Sequence, residues 1–179
     1  MRKGTFIYLL APIILTCVVL IRNSELETNF LDKQFSEIEH YIPHKDSIDT
    51  LVSKVDVAWH LDHSLKTINK ICEALEKSDP KAFKFNINLT RIAVFTYGDF
   101  TRGVAQSPKI VLPPKVIFKD SLYVQLEEAS KNLVKIESLD TKAHFKHPYF
   151  NVLNKKQTKR FLKVHTHHHL KIIKDILKE

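Results

Sequence analysis

The sequence predicts an all-α fold, a four-helix bundle with one long crossover, preceded by an N-terminal transmembrane or signal segment. Three observations lead there. Apolar residues recur at helical spacing in several separate stretches. Glycine is scarce, with three in 179 residues, which disfavours a turn-rich β architecture. Residues 6–21 form an apolar run interrupted only by Thr16, with Pro12 inside it. The chain therefore divides into a membrane anchor or signal segment at 1–22 and a helical bundle at 23–179, one domain's worth of chain.

The apolar run comes first. Arg2 and Lys3 precede it, and its length lies just under the usual range for a spanning helix. The same features fit a signal peptide, with a basic start and an apolar middle. No small-x-small cleavage site follows: the run ends Val18-Val19-Leu20-Ile21-Arg22-Asn23. Cys17, preceded by Thr16, is a poor lipoprotein acceptor. An uncleaved anchor is therefore preferred over a cleaved signal. Arg2 and Lys3 stand opposite Arg22, Glu25 and Glu27 across the run, which weakly places the folded domain on the non-cytoplasmic side. The lipid bilayer is then a partner through residues 6–21.

The helices follow in order. Ser24 to His40 carries Phe30, Phe35 and Ile38 among charges and stops before Pro43. A second helix begins at Ser53, where Ser53 and Asp56 resemble a capping box with Asp in place of Glu or Gln. It runs through Leu61, Leu65, Ile68 and Leu75 to Ser78-Asp79-Pro80. Residues 81–118 are the least regular part, with a short helix at Leu89–Tyr97 ending at Gly98. The dense prolines that follow, Pro108 and Pro113-Pro114, argue for an extended crossover. Lys119 to Leu139 is a clear helix on the stripe Leu122, Leu126, Ala129, Leu133 and Ile136. His144 to Asn154 reads as a loop with aromatic anchors. Asn154 caps the last helix, which extends to about Lys178.

Composition narrows the function. The net charge is +8, but the lysines are scattered along helix patterns. They form no continuous stripe, so no nucleic acid is expected. Anionic headgroups are the more natural attraction for a tethered basic domain. Cys17 and Cys72 are not expected to pair, and Cys72 reads as a small core residue. Asn88-Leu89-Thr90 is a formal glycosylation sequon.

The ten histidines are the informative feature. His165 and His169 fall about 40° apart on a helical wheel, beside Phe161, Ile172 and Ile176, so both point into the bundle. Histidines at i and i+4 have the spacing that chelates one metal ion. His167 points to the opposite side and His168 lies at the edge. On the second helix His60 borders the apolar arc, and His63 lies about 60° further out on the polar side. His60 is thus the better inward candidate. Three inward imidazoles would each need a buried partner, and one metal ion satisfies all three; the alternative is core histidines satisfied by hydrogen bonds.

Trp59-His60-Leu61-Asp62-His63-Ser64-Leu65 resembles the metal-site helix of the DinB/YfiT-like superfamily. His165-Thr166-His167-His168-His169-Leu170 resembles the other half of that site, and His147-Pro148-Tyr149-Phe150-Asn151 resembles the His-Pro-x-Phe-Gly signature of one uncharacterised branch. Ser107-Pro108-Lys109 with Pro113-Pro114-Lys115 is similar to its crossover. The resemblance spans Ser53 to Lys178. It implies a four-helix bundle with a divalent metal on His60, His165 and His169. Asn151 stands where the branch has Gly, and Asn also tolerates a left-handed turn. The membrane segment departs from the family pattern.

Three neutral imidazoles leave a coordination position open for water or a small-molecule substrate. The metal, with zinc, nickel and iron as candidates, would activate water or lower the pKa of a thiol. Some relatives resemble thiol S-transferases. Asp56, His63 and His168 are candidate neighbours of the ligands, Asp56 by orienting His60. For Asp56, helix capping is an equal reading. For His63 and His168, surface exposure is the preferred one. His147 is expected to fix the loop before the last helix. The expected function is a metal-dependent enzyme, a thiol S-transferase or a hydrolase. The alternative is a noncatalytic tethered module with a structural metal or none. A homodimer is an admissible assembly.

Overall fold

The computed structural model describes residues 29–179. The anchor expected at 6–21 and the start of the expected first helix lie outside the described residues. Among the described residues, no helix is long and apolar enough to cross a membrane.

The described chain is mostly helical. Helix α1 is Asp32–Tyr41, α2 Val57–Glu76, α3 Leu89–Tyr97, α4 Lys119–Ser138 and α5 Lys155–Leu177. Short 3-10 turns occupy Ile42–His44, Pro80–Ala82 and Lys109–Val111. The expected loop at His144 to Asn154 is instead an antiparallel hairpin, β1 His144–His147 and β2 Asn151–Asn154, with His144 opposite Asn154 and His147 opposite Asn151. The aromatic anchors explain the difference. Phe150 is buried against Phe95, Phe100 and Phe161, and that anchoring brings two short extended segments into register.

α2 lies at the centre, packed against α4 on one side and α5 on another, while α1 covers α4 and α5. Leu61, Leu65 and Ile68 of α2 are fully buried, with Leu122 and Ile136 of α4 and Leu162 and Ile173 of α5. α2 starts four residues later than expected. Asp56 rather than Ser53 is its N-cap, accepting the Trp59 N–H at 2.8 Å. That frees the Ser53 hydroxyl for another partner.

The polar side of α2 is covered as well. Asp62 accepts from Gln125 Nε2 of α4 at 2.8 Å and pairs with Lys66 at 2.7 Å. Asn69 donates to the Gln125 carbonyl and accepts from Asn132. α2 is thus surrounded rather than half-exposed.

The last helix begins on a full capping box. Asn154 Oδ1 accepts the Gln157 N–H at 2.9 Å, and Gln157 Oε1 accepts the Asn154 N–H at 3.1 Å. α3 ends as expected at Gly98, whose φ of 82° is the left-handed conformation glycine adopts freely. Asn151 has φ 61°, so this position does need the left-handed turn. The buried Arg91 fastens the crossover to the hairpin, donating to Asn86 and to the carbonyls of Phe150 and Val152. Asn88 of the sequon caps α3 and donates to the Tyr149 carbonyl at 3.1 Å.

Candidate metal centre

α2 and α5 bring four histidines together. His63, His165 and His169 each offer a ring nitrogen, and these nitrogens all lie within 4.8 Å of one another. His60 adjoins them, with its Nδ1 3.0 Å from Nδ1 of His169. His165 and His169 stand together as their spacing predicts, with ring centroids 4.6 Å apart. His167 is exposed, on the far side of the helix as expected.

His63 is where the wheel misleads. It was expected on the polar, exposed side, yet only 3% of its surface is accessible. The crossover is the reason. Its 3-10 turn presents the Val111 carbonyl 2.9 Å from His63 Nδ1, and Ser107 Oγ lies 3.5 Å from Nε2. A carbonyl only accepts, so Nδ1 holds the proton and Nε2 keeps its lone pair. An imidazole fixed this way through a backbone carbonyl is oriented as a metal ligand commonly is.

His60 is buried as expected, and both its nitrogens are engaged: Nδ1 with His169, Nε2 with Ser53 Oγ at 3.0 Å. The group that reaches His60 is therefore the Ser53 hydroxyl, while the Asp56 carboxylate serves the helix N-terminus. His168 is half-buried. Its Nδ1 donates to Asp99 Oδ1 at 2.9 Å, and Asp99 also pairs with Lys171 at 2.7 Å. Burial raises the pKa of the Asp99 carboxyl, but the hydrogen bonds from Lys171, His168 and the Phe100 N–H outweigh it and lower the value to about 2.

The rings are packed in aromatic surroundings. Trp59 stacks on His63 at 4.9 Å and meets His60 edge-on at 5.4 Å. Phe161 stacks on His165 at 5.3 Å, and Phe100 stands edge-on to His165 and His168. Burial lowers the pKa of all five imidazoles. His60 falls to about 4, helped by His63, and His165 and His169 fall well below the usual value, helped by their neighbours. For His63 the Val111 carbonyl, and for His168 the Asp99 carboxylate, partly opposes the effect. At neutral pH the rings are uncharged, the form that binds metal.

The donor set fits a transition-metal ion. It is all imidazole, which suits zinc, nickel or iron. His165 Nδ1 is buried with no hydrogen-bond partner among the described residues. Such an orphan costs free energy unless something satisfies it. Zinc–nitrogen bonds of about 2.0–2.1 Å put tetrahedral ligands roughly 3.4 Å apart, so modest ring rotations would close the triad.

His147 lies outside the cluster. Its Nδ1 accepts the N–H groups of Tyr149 and Phe150, both at 3.1 Å, and its ring stacks on Phe150 at 4.5 Å. It fixes the hairpin turn. Cys72 is a core residue whose thiol is pushed up to about 12 by burial. Sequence reasoning missed Ser53 and Asp99 as histidine partners, gave Trp59 only a place in the motif and did not use Phe100. Only Trp59, next to His60 in the sequence, offered a local signal; Asp99 and Phe100 reach the histidines from a distant segment.

No protein-family model, curated protein or solved structure matches this chain.

Proposed function

We propose that this chain is a divalent-metal-dependent enzyme of the DinB/YfiT-like type, a thiol S-transferase or a hydrolase, with the ion on His63, His165 and His169. The supporting observation is the convergence of three neutral imidazoles from two helices, one with an orphaned buried nitrogen. The DinB/YfiT-like reading draws support from the ordered sequence motifs. The arrangement of α1, α2, α4 and α5 around one core supports a four-helix bundle with α3 in its crossover.

His60, placed among the ligands by the sequence, is either a fourth imidazole or the partner that orients His169. The ion, when bound, supplies a site that lowers the pKa of water or a thiol. The chain's own residues do the rest. Val111 and Ser53 orient His63 and His60, Trp59 and Phe161 exclude water from the rings, and the His168–Asp99 pair offers a polar edge beside them. The domain is tethered through residues 6–21 on the non-cytoplasmic side, a setting that favours the hydrolase over a transferase using cytosolic thiols.

The test is elemental analysis of the untagged full chain beside His165→Ala/His169→Ala. About one metal per chain, lost in the double variant, supports the site. No metal after reconstitution with zinc, nickel and iron refutes it. A single His60→Ala change that keeps the metal makes His60 an orienting residue. The aromatic enclosure of the rings favours one second reading, a structural ion in a noncatalytic module. Its mark is a large loss of stability on chelation with no exchangeable metal-bound water.

A further inference from the structure

A cleft of about 580 Å³ opens between the α1–α2 loop, the first turn of α2 and the second half of the crossover. Its volume lies in the small-molecule range. Trp59, Pro113 and Ile117 give it apolar walls, and Lys45, Lys54 and Lys115 bring positive charge to it. Two carboxylates also line it, and both are already engaged. Asp46 pairs with Lys45, and Asp56 caps α2. Lys54 and Lys115 have no ion-pair partner among the described residues.

The helix end itself offers no free donor. The N–H groups of Val57, Ala58 and Trp59 go to Ser47 O, Lys45 O and Asp56 Oδ1. The uncompensated charge in the cleft is therefore that of the two lysines, with the helix dipole adding in the same sense. An open cleft of mixed lining, with apolar walls beside two unpaired ammonium groups, suits a ligand with both an anionic group and an apolar body.

We infer that this cleft binds a soluble organic anion, its carboxylate- or phosphate-like group held by Lys54 and Lys115 and its apolar body against Trp59 and Pro113. Trp59 is shared. It lines the cleft and stacks on His63 at 4.9 Å, so a bound body lies one ring away from the histidine triad. Taking this anion as the substrate rests on the metal-site reading above, whereas its binding does not.

Trp59 is the chain's single tryptophan, so its emission reports the cleft directly. The full chain is reconstituted in phosphatidylcholine vesicles and titrated with 3-phenylpropionate and with the neutral alcohol 3-phenylpropanol. The expected result is a saturable emission change with the acid and at least tenfold weaker binding of the alcohol. Lys54→Gln/Lys115→Gln should weaken the acid at least tenfold with an unchanged melting curve. Lys84→Gln/Lys131→Gln, away from the cleft, should not. Equal binding of acid and alcohol, an unaltered double variant or no saturable change would each overturn the inference. Acid binding by a chain that holds no metal sinks the metal reading alone. Metal without acid binding sinks the cleft alone.

Discussion

Removing the metal and lowering the pH from about 7 to about 5 should destabilise this protein by a predictable amount. His60 titrates near 4 in the folded chain against 6.5 unfolded, and burial is the largest cause. His147, likewise buried, also titrates near 4. Between those two values the unfolded chain binds more protons than the folded one, so stability rises with pH. The contribution is complete above 6.5 and is lost as the pH falls toward 4. From pH 7 to pH 5 a single group shifted from 6.5 to 4 costs about 2 kcal/mol. His60 and His147 together cost roughly 4 kcal/mol, against a typical total stability of about 5–15 kcal/mol. His63, His165, His168 and His169 are shifted in the same direction and add to the loss. The assay is urea unfolding followed by circular dichroism at pH 7 and pH 5, with excess chelator. With an m-value of about 2 kcal/mol/M, the midpoint should fall by about 2 M or more. His60→Met, which cannot titrate, should recover about 2 kcal/mol of that difference. A midpoint that moves by less than about 0.5 M would refute the reasoning, because the imidazoles would then be hydrated in the folded state.

Three further outcomes follow from single contacts. Arg91→Ala should cost about 2–4 kcal/mol in urea unfolding, since it strips a buried guanidinium from Asn86 and from the Phe150 and Val152 carbonyls; a loss under about 1 kcal/mol would mean that water replaces it. Asn151→Gly should be neutral or stabilising by up to about 1 kcal/mol, while Asn151→Val should lose about 1–2 kcal/mol, because the position sits at φ 61°. Thermal melts of the pair give the sign. Ser53→Ala removes the hydroxyl 3.0 Å from His60 Nε2 and should cost about 1 kcal/mol while leaving bound metal near wild type; complete metal loss would promote His60 from orienting residue to ligand.

The sequence by itself determined the helices and the inward pair on the last one. Periodicity located Leu89–Tyr97 and Lys119–Ser138 to within a residue, because their apolar stripes and terminal signals are local. His165 and His169 were legible for the same reason: angular position along one helix needs no knowledge of its neighbours. The left-handed turn at Asn151 was anticipated only through the resemblance, in which Asn stands in place of Gly, and the residue does adopt φ 61°. The tertiary structure decided what surrounds α2. A wheel assigns one face to the core, but α4 and the crossover cover the other faces too, burying Asp62, His63 and Asn69. His63 joins the triad because a carbonyl 48 residues away orients it, and Ser53 reaches His60 because Asp56 takes the cap. The hairpin, likewise, depends on Phe150 finding Phe95, Phe100 and Phe161 across the fold. Helical phase is local and so can be read from the chain, whereas which polar side chain loses its water is settled only when distant segments pack over it.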